Sequence, residues 1–389
     1  METSLAGKPL LRLAPFARKT GMDRSASADA EALAHAAKAL VPDDPERTYS
    51  VIMPATDRPP TMDRCVEAIL AADDPPDEVI VVDSPAGMGP AAARNAGATR
   101  AKGSILVFVD SDVMVHADAF TRIRAAFDAD PELVAIFGSY DDLPSLHGTV
   151  STFRNMLHHY VHQGSGGVAT TFWAGLGAVR RDAFVEVDGF DDWRFRSPSV
   201  EDIELGLRLA TAGGLIKLDP EIQGTHLKRW GVRSMLLTDL FYRGMPWTAL
   251  MLDRGPKAAR LNLRGSHGVA AAAFTLGLAA TVLGRRRLAA PLAAAYFVIN
   301  MRFYGLMFRR AGPRSAAAAV VLLAVHNTAA LGSAPLGVMA FGTDRLRRTG
   351  PRTTRLVLHN QPGRPPRRPS RRFARAARAP AAPDDTSAR

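Results

Sequence analysis

From Tyr49 onward, short apolar runs alternate with stretches of helical period, the pattern of βαβ units and a mainly parallel sheet. "YSVIMPA" predicts a first strand, "TMDRCVEAILAA" an amphipathic helix and "DEVIVVDS" a second strand. "GPAAARNAGATRA" predicts a helix opened by Gly89 and Pro90, the latter suited to a first helical position. "SILVFVDSDV" predicts a third strand, "ADAFTRIRAAFDA" a helix and "LVAIFGSY" a fourth strand. Strands this apolar are covered on both faces, so a ligand meets the sheet at the strands' carboxyl ends. Those ends carry Pro54 to Asp57, Asp83, and Asp110 with Asp112, so three strands deliver polar residues to one edge.

Past residue 256 the pattern changes to Ala-rich apolar segments at 268–284, 288–308 and 315–341, separated by "RRR" and "RRAGPR". Each is close to the roughly 20 residues that cross a bilayer, although Arg302 sits inside the second. We expect membrane association here; a soluble Ala-rich bundle is the alternative. If all three cross, the arginines at 285–287 and the chain's end lie opposite the α/β domain, against the positive-inside tendency. The expected organisation is a flexible leader at 1–47, an α/β domain at 48–256, an apolar helical region at 257–342 and a disordered basic tail at 343–389.

The net charge of +11 belongs almost wholly to that tail, where thirteen arginines stand against three acidic residues from Thr343 on. Its Pro, Arg and Ala content suits anionic lipid headgroups better than nucleic acid, because no aromatic platform interleaves the arginines. Residues 1–21 lack the continuous apolar core of a signal peptide. The single cysteine, Cys65, excludes an intrachain disulfide and reads as core.

Asp110 and Asp112 lie at i and i+2, so both carboxylates face one site if the chain stays extended there. Carboxylates are hard oxygen ligands suited to Mg2+ or Mn2+, and those ions bind diphosphate oxygens. An ordinary strand-end turn explains the same pair. In "SVEDIELGLRL", Glu201 and Asp202 open a helix, where acidic residues also simply favour the helix dipole. His158 and His162 share a helix face at a metal-binding spacing but lack the intervening glutamate of a zincin.

"VIMPA", "VVD", "AARNAG", "VFVDSDV", "FWAGLGAVRRDAFVEVDGFDD", "SVEDIELGLRLATAGG" and "THLKRW" occur in this order, and together they resemble the family 2 glycosyltransferases of the GT-A fold over about residues 49–250. The resemblance implies a bacterial, membrane-associated enzyme at the cytoplasmic membrane with its catalytic domain on the cytoplasmic side. Its donor would be a nucleotide diphosphate sugar, and its acceptor a lipid-linked or cell-envelope glycan hydroxyl. Pro54, Ala55 and Asp83 would frame the base and ribose, with Arg94 and Asn95 lining or supporting that pocket. Asp110 would touch the ribose or metal, and Asp112 would be the direct ligand of Mg2+ or Mn2+. Asp202 would be the general base of an inverting transfer, with Glu201 beside it. Trp173, Gly175 and Asp191 would line the donor sugar and acceptor side; a buried core tryptophan is the plainer reading of Trp173.

"HLKRW" is similar to the Q-x-x-R-W motif of processive synthases, with Arg229 and Trp230 in register and His226 in the glutamine's place. That substitution implies a third metal ligand at His226 and a single transfer rather than polymerisation. Two departures stand out: the segment "SPAGMGP" is short, and Thr56 and Asp57 replace the family's usual residues. Two rivals are a non-catalytic nucleotide-sugar binding subunit, against which Asp112 and Asp202 are both present, and a sugar nucleotidylyltransferase, whose glycine-rich phosphate loop is not evident in "VIMPATDRPP".

Overall fold

The computed structural model describes residues 2–3, 9–12, 47–143, 148–255 and 265–347. The elements expected from the pattern form where the apolar periodicity put them. They are β3 (Tyr49–Pro54), α1 (Met62–Leu70), β4 (Glu78–Val82), α2 (Pro90–Ala98), β5 (Ile105–Val109), α3 (Ala119–Ala129) and β7 (Leu133–Tyr140). Pro90 stands in the first turn of α2 with Gly89 as its N-cap, as its missing N–H allows. Strands β3, β5 and β7 are buried at every residue, consistent with a sheet covered on both faces.

The sheet is mixed rather than mainly parallel. Two short strands, β1 (Glu2–Thr3) and β2 (Pro9–Arg12), precede it, and its order begins β1-β2-β4-β3-β5 with β2, β4, β3 and β5 mutually parallel. β9 (Leu176–Arg180) then enters antiparallel between β5 and β7. β10 (Leu215–His226) follows, parallel to β7, and pairs antiparallel with β6 (Val113–Val115) and β8 (Gly167–Ala169). Leu10 to Arg12 pair with Val79 to Val81, so "PLLR" adds a strand beside β4. The rest of the leader, and the tail from residue 348, lie outside the described residues.

Two cores fill the faces of the sheet. In the first, Phe108 meets Phe172, Phe184 and Phe190 in edge-on or tilted contacts with ring centroids 5.1 to 6.4 Å apart. A third core joins α4 (Thr149–Gln163) and α7 (Val232–Leu237) to α9 (Gly265–Val282), α10 (Arg286–Ile299) and α11 (Met301–Arg347). α11 is broken at Gly312, whose φ of 82° only glycine adopts without strain. Among the described residues, one helix, Met301–Thr343, is long and apolar enough to cross a membrane. The apolar helix before α10 is too short by the same measure.

Close approach holds α11 to the catalytic side. A Cβ at Gly337 would lie 2.7 Å from the Met245 carbonyl of α8 (Met245–Arg254), so only glycine lets these helices meet. Arg154 of α4 donates to Asp239 in the π-helical turn Thr238–Gly244 at 2.8 Å, and His326 of α11 meets the same carboxylate at 2.8 Å. Breaking one partner of such a buried pair is costly, so this network fixes the register of α11 against α4.

Candidate active site

The carboxyl ends of β3, β4, β5 and β10 converge with the first turn of α6 (Glu201–Thr211). Pro54 and Ala55 are buried at the end of β3, and Ala55 N–H donates to the Val82 carbonyl at 2.8 Å. Asp83 follows β4; its Oδ2 lies 3.5 Å from Arg58, while its buried Oδ1 has no hydrogen-bond partner. A buried acceptor left in this state costs free energy unless something donates to it.

Arg94 organises the acidic side. It lies buried over the Phe190 ring at 5.3 Å and donates to Asp110 Oδ1 at 2.6 Å and Glu201 Oε1 at 2.9 Å. Its guanidinium is therefore engaged by carboxylates rather than open to a base. Asn95 is likewise a support: its Nδ2 donates to the Phe190 carbonyl at 2.9 Å and its Oδ1 accepts the Phe190 N–H at 3.0 Å.

Asp110 and Asp112 part company. Val113 N–H donates to the Asp110 carbonyl at 3.0 Å, closing a turn, so the chain is not extended across the pair. Asp110 turns to Arg94, whereas Asp112 Oδ2 faces His226 Nε2 at 3.6 Å. Burial pushes Asp112 up, but the imidazole and the Lys228 charge outweigh it and hold the carboxyl below its ordinary value. Burial is the first cause raising Asp110, with Arg94 opposing and Asp112 adding to it. Among the described residues no group of three or more His, Cys, Asp or Glu side chains gathers as a metal cage. The expected three-ligand set of Asp110, Asp112 and His226 is thus reduced to a pair, because the turn sends Asp110 elsewhere.

That pair suits a cation. His226 Nδ1 lies 2.8 Å from Asn155 Oδ1, so the ring donates there; the Nε2 proton that holds Asp112 down must leave before the Nε2 lone pair can face a cation. The Tyr140 ring stacks on His226 at 4.3 Å and 10° between planes, fixing its orientation. With Nε2 deprotonated, Asp112 and His226 are the two described side chains that could hold a divalent ion here. Asn155 and Tyr140 were missed in the sequence; a strand end and a helix polar position were their only signals.

Asp202 stands half-buried at the start of α6. Its Oδ2 accepts the Ala174 N–H at 3.3 Å and its Oδ1 the Ile203 N–H at 2.8 Å. Burial first and then the Glu201 charge push its carboxyl up to about 7, with Arg94 and the two backbone donors opposing. Asp110 N–H donates to the Gly175 carbonyl at 3.1 Å, so the strip 173–175 bridges the two acids.

Trp173 lies partly buried against both sheet cores, 4.9 Å edge-on to Tyr140 and 4.6 Å from His158. A Cβ at Gly175 would strike the Trp173 indole, so this glycine makes room for that ring and not for a ligand. His158 and His162 do not form a metal site: their rings pack on Trp173 and each other, and His162 Nδ1 donates to the Gly138 carbonyl at 2.9 Å. Burial lowers both, His162 to about 4. Asp191 accepts the Arg194 N–H at 3.0 Å, shaping the 191–195 turn. Trp230 is buried in the third core between Arg154 and Lys228, each 4.9 Å from its ring, and Arg229 is exposed, so neither joins the carboxylates.

Residues 84–187 match the family model described as Glycosyl transferase family 2. Over those residues the chain is similar to the family 2 glycosyltransferases. The match includes Arg94, Asn95, Asp110, Asp112, Trp173 and Gly175, and ends before Asp202 and His226. The pre-mycofactocin glycosyltransferase of Mycobacterium tuberculosis is 26% identical over 318 residues, covering 72% of this chain. The chain spans 66% of that relative's length, just under two thirds. Solved structures with loose likeness include a mannosyltransferase, PcManGT, from Pyrobaculum calidifontis in complex with GDP-Man and Mn2+. It has 15% identity and a TM-score of 0.43, with 84% of this chain and 98% of that one covered. S. aureus TarS 1–349 in complex with UDP-GlcNAc gives 13% identity and a TM-score of 0.40, with 77% and 92% covered.

Proposed function

We propose that this family 2 glycosyltransferase domain transfers a sugar, with inversion and one residue at a time, from a nucleotide diphosphate sugar to a hydroxyl of a lipid-linked or cell-envelope acceptor. The observation that carries this is Asp202, a carboxylate raised to about 7 and oriented by two backbone N–H groups beside the strand-end acids. A base poised near working pH is what proton removal from an attacking hydroxyl needs. Asp202 takes that proton as the acceptor oxygen bonds to the anomeric carbon and the bond to the diphosphate breaks on the opposite face. The unpartnered Asp83 Oδ1 accepts an N–H of the nucleobase at the end of β4.

Asp112 and His226 would hold a divalent cation, Mg2+ or Mn2+, which would supply positive charge against the departing diphosphate. Arg94 keeps Asp110 and Glu201 compensated, so that the site does not fold at the expense of uncompensated carboxylates. The burial of Trp230 and the exposure of Arg229 favour single transfer, since neither lines a path for a growing polymer. The catalytic domain is residues 48–256, and the apolar region 257–342 associates it with the cytoplasmic membrane, catalytic side inward; the long apolar helix supports this. The basic tail adds attraction to anionic lipids.

The test is a donor panel of UDP- and GDP-sugars, reading nucleotide release with Mn2+, Mg2+ or chelator and with membrane lipid extract as acceptor. Release from at least one donor that chelator abolishes is expected. Metal-independent release, or none with any donor, overturns the proposal. Recovery of the intact protein in a high-speed supernatant without detergent would sink the membrane reading.

A further inference from the structure

A groove lies away from the carboxylates, between α4 and the first half of α11. Its volume is about 550 Å³, within the range of small-ligand sites, and it is lined by His159, Gln163, Met301, Arg302, Leu306 and Arg309 among others. Arg302 and Arg309 stand seven residues apart, two helical turns, and so share one face of α11 with Leu306 between them. Gly305 keeps that face open: a Cβ there would lie 3.4 Å from Arg309 Nη1.

The charges in the groove are unbalanced. Neighbouring Arg310 pairs with Asp142 at 2.6 Å, whereas no carboxylate lines the groove and neither Arg302 nor Arg309 forms an ion pair among the described residues. His159 and Gln163 are themselves anchored to the sheet, His159 Nδ1 donating to the Tyr140 carbonyl and Gln163 Nε2 to the Pro220 carbonyl, each at 2.9 Å. Beside the arginines the surface turns apolar: Met301 and Phe308 are each 57% exposed, Val298 60% and Phe297 45%. Two free guanidiniums suit a phosphate, and a flank of exposed apolar side chains suits what a lipid attaches to it.

We propose that this groove binds the phosphate headgroup of an anionic glycerophospholipid, with the acyl chains lying along the Phe297, Val298, Met301 and Phe308 flank. The proposal rests on the membrane reading given above but not on the glycosyl transfer. A bare anion site would not need the apolar flank, and an apolar docking face would not need two unpaired arginines. Because His159 also holds the carbonyl of Tyr140, the residue stacked on His226, an occupied groove braces the end of β7 behind the metal pair.

The experiment titrates the purified, delipidated full chain with dihexanoyl phosphatidylglycerol, dihexanoyl phosphatidylcholine and inorganic phosphate, reading heat of binding. Phosphatidylglycerol should bind to one site per chain at least about tenfold tighter than either of the others, because phosphatidylcholine adds a choline cation that two guanidiniums repel and inorganic phosphate lacks the apolar chains. R302Q/R309Q should weaken it at least about tenfold, and so should G305L, which fills the groove without changing charge. R285Q/R286Q removes the same charge from an exposed position at the start of α10 and should change nothing. Equal binding of phosphatidylcholine, equal binding of inorganic phosphate, or an equal loss in R285Q/R286Q overturns the proposal. Nucleotide release plays no part in this readout, so failure of the proposed catalysis is seen separately, and detergent-free recovery reports on the membrane reading alone.

Discussion

Replacing Arg94 with methionine keeps most of the side chain's volume and removes the one cation that bridges two acids of the site. Arg94 and Glu201 have side-chain exposures of 4% and 6%, so breaking their 2.9 Å pair leaves a buried carboxylate without its cation. The 2.6 Å pair with Asp110 contributes less, because that side chain is 31% exposed. Removal of one partner from a buried pair costs roughly 3–5 kcal/mol, and we expect about 4 kcal/mol for R94M at about pH 8. The loss depends on pH with a defined sign. Asp110 and Asp202 are raised by burial, and Arg94 opposes both rises, so without it their folded values climb further. A carboxyl raised in the folded state favours folding below its unfolded value, near about 4, and loses that contribution as pH rises through its folded value. The R94M deficit should therefore be largest at about pH 8 and shrink toward pH 5. Denaturant unfolding in mild detergent at both pH values measures it. A deficit below about 1 kcal/mol, or one that does not change with pH, refutes this account of Arg94.

Two further outcomes follow from the same geometry. With Asp202 as the proposed base and its carboxyl pushed up to about 7 by burial, nucleotide release should rise with pH through about 7 and level off above it, as initial rates at fixed metal will show; a rate already constant from about pH 5 upward removes Asp202 from the base role. N155A removes the acceptor that fixes the His226 tautomer, and Mn2+ affinity measured by calorimetry on the donor-free protein should fall about 10- to 100-fold, whereas an unchanged affinity means that His226 is not a ligand.

The strands and helices around the site were legible because their apolar periods are strong: β3, β5 and β7 read as continuous runs and are buried throughout. Strand direction was not, since "LGAVR" has the composition of a buried strand whichever way it runs, and only its neighbours make β9 antiparallel. Asp112 and Asp202 could be picked out as strand-end and helix-start polar residues, and His226 through the resemblance of "HLKRW". Their partners could not, because Arg94 reaches Glu201 across 107 positions and Asn155 reaches His226 across 71. The Asp110 and Asp112 pair turned on one backbone hydrogen bond, Val113 to Asp110, that no side-chain pattern announces. Gly175 looked like room for a ligand and is room for Trp173, a distinction only the packed ring makes. Trp230 was placed by motif and is held instead by Arg154 and Lys228 in a core that includes the apolar helices.

The most direct test of the account is D202N, with nucleotide release and nucleotide binding measured on the same preparation. The amide keeps the side chain's shape and its acceptor toward Ala174 or Ile203, but it cannot take a proton. Release should fall at least about a hundredfold while Mn2+-dependent nucleotide binding stays within about twofold. Turnover equal to the wild type, with binding intact, would contradict the claim that Asp202 is the base.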